Sequence, residues 1–451
     1  MATADRVAAN MSFAAFGKAT DLKKRIWFTL GCLIVYRLGT YIPIPGINQQ
    51  VFADLFAQQA QGILGYLNVF AGGAVERMTI FALNIMPYIS ASIIIQLLTA
   101  VSPKLEALRK EGDAGRKKIN QYTRYLTVVL CAVQAYGIAI GLEGASNTST
   151  GASVVSEPGL FFRASVVITL VGGTMFLMWL GEQITARGVG NGISLIIFAG
   201  IVATLPSSFG QIFEMGRKGS LSPIAIVVFM VFAVAVIAFV VFIERAQRRV
   251  VVQYPKRQVG NRMTAGESSF IPLKLNTSGV IPPIFASSLL LLPATLAGFS
   301  GGQAGAGPEW LNALNVYFGR GSILFIGVYV AMIVFFAFFY TAIVFNPADT
   351  AENLRKYGGF VPGIRPGKPT ADYFDYVLTR ITCVGAAYLA FVCALPEVLT
   401  SNLAIPFYFG GTSLLIAVSV TMDTVAQIQG HLLAHQYEGL IKKSRLKGAK
   451  K

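Results

Sequence analysis

Charge is scarce in this chain: Asp, Glu, Lys and Arg make up 13% of its 451 residues, about half the ~25% of a soluble domain. Acid is scarcer still, with 21 Asp and Glu against 37 Lys and Arg. The four cysteines (Cys32, Cys131, Cys383, Cys393) lie in apolar runs without metal or redox spacing and read as packing residues. The two histidines, His431 and His435, are four apart but lack the intervening Glu of a metalloprotease helix, and they follow the last apolar run. A nucleotide-binding loop is missing too. The nearest candidate, GIRPGK at 363–368, has the wrong spacing and no Ser or Thr after the Lys. No carboxylate sits midway along an apolar run; Asp423 comes nearest and lies towards the end of one. The chain therefore offers no fuel hydrolysis, no metal or cofactor chemistry, and no acidic relay of the kind ion-coupled transporters keep at the bilayer midplane. Work done by this protein must be driven from outside it.

What is abundant is apolar sequence, 54% of the chain. A bilayer-crossing helix needs about 20 such residues. Ten runs qualify, near 26–42, 79–101, 123–142, 161–180, 192–209, 222–243, 279–299, 321–345, 377–396 and 405–427. Residues 1–25 are polar and basic, so no cleavable signal peptide is expected. Ten spans put both termini on one side. The six segments on that side hold 29 Lys and Arg, whereas the five opposite segments hold four. The positive-inside rule makes the termini cytoplasmic. The net charge of +16 is thus concentrated on one face. That face reads either as topogenic charge that also attracts anionic lipid, or as a docking surface for a large acidic or RNA-containing partner. Two cytoplasmic loops, 244–278 and 346–376, are longer than topology requires.

Residues 62–100 carry the most information. Gly62–Ala71 is apolar but only half the length of a span, the mark of a buried or half-inserted helix. Gly72 and Gly73 break it, Glu76 and Arg77 mark a polar level, and Met78–Val101 then reads as a full span. Inside that span lie Asn84, Pro87, Ser90, Ser92 and Gln96. Hydrocarbon cannot satisfy them, so they must face protein or a water-filled path. A half-inserted helix feeding a polar span points to a plugged or gated passage.

The chain divides into a cytoplasmic segment 1–25, an N-terminal half 26–209, an outer connection 210–221, a C-terminal half 222–427 and a cytoplasmic tail 428–451. Five spans per half is odd, so the halves cross the membrane in opposite senses, and homologous halves would make an inverted repeat around a path. In loop 244–278, Val250–Val252 and the turn signal Tyr254-Pro255 predict a β-hairpin. Loop 346–376 predicts a short polar helix capped by Asp349 or Thr350, then a Gly/Pro-rich turn presenting Arg365.

Several long motifs now resemble one family: FALNIMPYISASIIIQLL in span two, GNGISLIIFAGI in span five, GVIPPIFASS in span seven, FVPGIRPGKPT before span nine and QYEGLIKKSRLKG at the tail. They are similar to the bacterial SecY family, the central subunits of protein-conducting channels, from about Leu22 to the C-terminus. The resemblance implies an all-α membrane protein of ten transmembrane helices in two inverted five-helix halves, a clamshell, with a short re-entrant plug helix. It places the plug at Gly62, Ile63, Leu64, Leu67, Phe70, Gly72 and Gly73. It places a pore ring at Ile85, Ile89, Ile193, Ile197, Ile284 and Ile416; branched apolar side chains make a narrow gasket that resists wetting. Ser90, Gln96 and Asn191 match lateral-gate positions, and Ser287 joins them from the geometry of span seven. Arg365, with Lys256, Arg257 and Arg262, corresponds to the contact for the SecA motor or for ribosomal RNA. The implied partners are the small membrane subunits SecE and SecG, the SecA ATPase, the ribosome, and preproteins with signal sequences, in the bacterial inner membrane. No cofactor and no enzymatic activity are implied. The chain departs from the family pattern at Asn84, usually Gly, and at Asn261, commonly basic. The competing reading is an inverted-repeat permease for a small solute, which would need a midplane pocket with coupling carboxylates.

Overall fold

A computed structural model describes residues 20–59, 63–144, 153–218, 223–255, 257–259, 262–264, 268–300, 323–403 and 411–448. Most of it is helical. In chain order the helices are α1 (Thr20–Gly39), α2 (Gln49–Gln59), α3 (Ile63–Phe70), α4 (Met86–Val101), α5 (Pro103–Lys110), α6 (Asp113–Gly144), α7 (Leu160–Arg187), α8 (Gly192–Arg217) and α9 (Pro223–Arg245). Strands β1 (Gln247–Gln253), β2 (Arg257–Val259), β3 (Arg262–Thr264) and β4 (Ser268–Lys274) follow. The remaining helices are α10 (Ile281–Ser300), α11 (Ile323–Val344), α12 (Pro347–Lys356), α13 (Lys368–Leu403) and α14 (Gly411–Gly448).

A helix lies at each of the ten expected spans. Among the described residues seven helical stretches are long and apolar enough to cross a membrane, or eight if α4 and α5, bent by 98°, count as one. The lengths follow from the solvent: in hydrocarbon a backbone must bond to itself, and a helix does this within one segment. α9 shows the other consequence. It is apolar all round, and Ile224, Val227, Val231 and Val234 stand exposed along it, as a helix bathed in lipid would. This is an all-α membrane protein.

The chain forms two compact units. One comprises Met1–Ser207, Thr295–Glu309 and Val420–Lys451, the other Ser208–Ala294 and Trp310–Ser419. In the first unit α6 and α7 share a core in which Cys131, Ala135, Ala139, Val166 and Leu170 are buried. Small residues on the facing helix let the two backbones approach closely. The helices are also tied by two ion pairs, of which Arg124–Glu182 engages both carboxylate oxygens. Arg124 Nη2 lies 2.6 Å from Glu182 Oε2, and Arg163 Nη2 lies 2.6 Å from Glu143 Oε2.

The second unit carries a small core beyond its spans. β1 pairs antiparallel with β4 in the register Gln247↔Lys274 to Gln253↔Ser268, and β2 pairs with β3. The expected hairpin is present, with Tyr254 and Pro255 between its two ladders. Strand alternation turns Val250 and Val252 inward, where they meet Leu354 of α12 and Phe374 and Val377 of α13. Gln253 and Phe360 exchange backbone hydrogen bonds of 2.9 and 3.0 Å, which fastens the hairpin to the loop after α12. The cap of α12 differs from the expectation. Neither Asp349 nor Thr350 starts the helix. Asn346 does, its Oδ1 accepting from the Ala348 N–H at 3.0 Å, because Pro347 fits the first helical position.

Of the cysteines, Cys32, Cys131 and Cys393 are buried, whereas Cys383 is exposed on α13.

Candidate functional site

The second span does not begin where its apolar run begins. Residues 71–85 form a succession of turns, and helix starts only at Met86. Two features end the upstream helical pattern. Met78 and Asn84 have positive φ, 43° and 50°, a conformation that no residue of a right-handed helix adopts. Pro87, in the first turn of α4, cannot donate to an upstream carbonyl. Irregular backbone within hydrocarbon is tolerated only where it is buried in protein or lines a water-filled cavity. Ala71–Val75, Met78, Thr79 and Phe81–Ile85 are accordingly all buried.

This segment is seated on its neighbours through close backbone approach. Gly173 of α7 lies directly against the Ile80 carbonyl, and a side chain there would strike it. Phe81 is sandwiched between Tyr36 of α1 and Phe176 of α7, with ring centroids 6.2 and 6.0 Å away. On the far side, a Cβ at Gly200 of α8 would lie 2.6 Å from the Phe70 carbonyl oxygen and 3.0 Å from Tyr36 Oη.

α3 ends on that seat. As at any helix C-terminus, its last carbonyls lack intrahelical partners. The Gly72 and Gly73 N–H groups serve Val69 and Asn68, and three side chains hold the Phe70 carbonyl and the two that follow the helix. Asn84 Nδ2 donates to the Phe70 oxygen at 2.6 Å, Tyr36 Oη to the Ala71 oxygen at 3.4 Å, and Arg37 Nη1 to the Gly72 oxygen at 2.6 Å. Gly72 and Gly73 adopt positive φ of 66° and 85°, so the chain turns back at once. The loop closes on itself through Asn68, whose Oδ1 accepts from the Glu76 N–H and whose carbonyl accepts from the Gly73 N–H. The short apolar helix expected at Gly62–Ala71 is thus α3, clamped at its C-terminal end. Gly62 lies outside the described residues, and of Ile63, Leu64 and Leu67 only the backbone is described.

The six isoleucines divide between the units. Ile85, Ile89, Ile193 and Ile197 belong to the first, Ile284 and Ile416 to the second. Ile193 is half-buried and the other five are buried. Ser90 is buried. Gln96 Nε2 donates to Ser92 Oγ at 3.2 Å, and its buried Oε1 has no partner among the described residues. Asn191 caps α8: its Oδ1 accepts from the Ile193 N–H at 3.2 Å. Ser287 returns its hydroxyl to the Ile284 carbonyl within α10.

Arg365 stands exposed in a turn bounded by Gly363 and Gly367, both at positive φ. Its own carbonyl accepts from Thr370 Oγ1 at 2.8 Å, which stiffens the turn. The guanidinium has no hydrogen bond or ion pair with any described residue. Arg257 and Arg262 occupy β2 and β3, opposite Thr264 and Val259; their side chains and all of Lys256 lie outside the description.

Sequence reasoning named α3 and Asn84 but missed Tyr36, Arg37 and Gly200. Only an Arg at the end of an apolar run hinted at the second, and a glycine inside GNGISLIIFAGI at the third.

Comparison with known proteins follows the same lines. The SecY family model matches residues 79–425. Protein translocase subunit SecY of Rickettsia conorii (strain ATCC VR-613 / Malish 7) is 56% identical over 427 residues, covering 95% of this chain and 97% of that one. Its counterpart in Escherichia coli (strain K12) is 54% identical over 435 residues, covering 96% and 97%. Three solved structures share the fold at 18% identity, each covering 91% of this chain and 92% of the other. They are a protein-conducting channel (TM-score 0.63), a SecY channel whose plug domain stabilises the closed state and maintains a membrane seal (0.61), and Sec61 in the canine ribosome–channel complex (0.59).

Proposed function

This chain belongs to the SecY family, and from that premise we propose how its residues do the family's work. It is the protein-conducting channel subunit of the Sec translocon. The halves 26–209 and 222–427 flank the path. α3 with Gly72 and Gly73 is the plug that closes the outer side at rest. Ile85, Ile89, Ile193, Ile197, Ile284 and Ile416 form the constriction, which grips a passing chain without offering it a hydrogen bond. Ser90, Gln96, Asn191 and Ser287 line the seam between spans two and seven, through which apolar segments leave for lipid.

Both termini and the basic loops face the cytoplasm of a bacterial inner membrane, so unfolded preproteins travel outward. Arg365, with Lys256, Arg257 and Arg262, offers planar and point charges to carboxylates of the SecA ATPase or phosphates of ribosomal RNA; the canine Sec61 channel is a ribosome-bound relative. SecE and SecG complete the complex, and the excess positive charge also binds anionic lipid. The chain supplies a path and its motor supplies the energy; it catalyses no reaction itself.

The observation that carries this reading is the clamped half-span: an eight-residue helix held at one end by three side chains against a buried, irregular segment. Reconstitution with SecE, SecG and SecA should give ATP-dependent protection of a presecretory protein from protease. Protection of no client under any condition would remove the channel reading.

A further inference from the structure

We propose that Asn84 is the residue that sets how strongly a signal sequence must bind before the plug leaves, through the bond from its amide to the Phe70 carbonyl. This inference rests on the plug reading above and adds to it a residue and a threshold.

Asn84 differs from the other two clasps in what it is attached to. Tyr36 and Arg37 stand on the regular helix α1, whereas Asn84 lies two residues before α4 at φ 50°. That left-handed conformation, which Asn tolerates better than other residues with a Cβ, aims the short side chain back across 14 positions to α3. Asn84 is 3% exposed, and its Oδ1 accepts from no described residue. The amide nitrogen is the group that meets α3. The bond therefore joins the first residues of span two directly to the last residue of α3, with no intervening side chain. A signal sequence that moves span two pulls on Asn84 and so on the Phe70 carbonyl. Plug-in and plug-out states form a two-state equilibrium, and a signal sequence shifts it only by its differential affinity for them. A stronger latch demands a more apolar signal.

Asn84→Gly tests this cleanly, because Gly accepts positive φ without strain and lacks the amide. In the reconstituted complex, resting ion conductance should rise about three- to tenfold, the worth of one buried hydrogen bond. Preproteins with weakened signal sequences should gain transport, while a strong-signal client is unchanged. Deleting 63–71 should itself raise resting conductance, and adding Asn84→Gly to that deletion should change nothing more. A tight deletion channel would sink the plug reading and the latch with it. A leaky deletion beside a tight, normally selective Asn84→Gly channel would sink the latch alone. An effect of Asn84→Gly that persists in the deletion background would mean the residue acts on span two and not on the plug.

Discussion

Arg37 reaches from the last turn of α1 to the carbonyl oxygen of Gly72, 2.6 Å from its Nη1, across the break that ends α3. The same guanidinium donates to the Tyr41 hydroxyl at 3.0 Å. A charged donor on a carbonyl is worth about 1.5–3 kcal/mol, more than either neighbouring clasp. Arg37→Gln keeps a donor but loses the charge and the reach. Its resting conductance should exceed that of the parent and, in planar-bilayer recordings, exceed that of Tyr36→Phe. Equal conductance in all three channels would show that the Gly72 bond does not hold the plug.

Gly200 allows α8 to touch the end of α3. A Cβ there would stand 2.6 Å from the Phe70 oxygen, a backbone atom that cannot rotate away. Gly200→Ala should therefore shift α3 off its seat, at a cost of roughly 1–3 kcal/mol in overpacking. The expected signs are a lower Tm for the purified complex and a leaky resting channel. Parental Tm and a tight seal in this variant would mean the approach of α8 to Phe70 is not needed for closure.

The isoleucine ring is tested by replacing several members together. Ile85→Ser, Ile193→Ser and Ile284→Ser combined should let water into the constriction, raise resting conductance and relax signal selection. Each single substitution should do little, since five other branched side chains remain. Unchanged conductance and selectivity in the triple variant would reduce these residues to packing.

Arg365 stands exposed in its turn, and its guanidinium bonds no described residue. Arg365→Glu should cripple SecA-dependent transport while leaving membrane insertion and assembly intact. Arg365→Lys, which keeps charge but not the planar fork, should fall between. Parental SecA binding and transport rates in the Glu variant would exclude a docking role.

Membrane class and the sites of ten helices were legible in the sequence because each is a local demand. Hydrocarbon requires about 20 apolar residues in a row. A hairpin and a half-length helix were legible for the same reason, from alternation and from a run too short to span. The start of span two was not. Met78–Val101 is apolar enough to be one helix, but Met78 and Asn84 take left-handed backbone and the helix waits until Met86. Apolar composition cannot report that choice, since an irregular segment buried in protein and a helix buried in lipid satisfy the same hydrophobicity. Tertiary structure also chose the fastenings at the end of α3. Tyr36, Arg37 and Asn84 are 35, 35 and 14 positions from the carbonyls they hold, and Gly200 matters only because a carbonyl from elsewhere in the chain arrives beside it. Such pairings have no period or spacing in the sequence; they exist only once the buried polar groups of a folded chain must find partners.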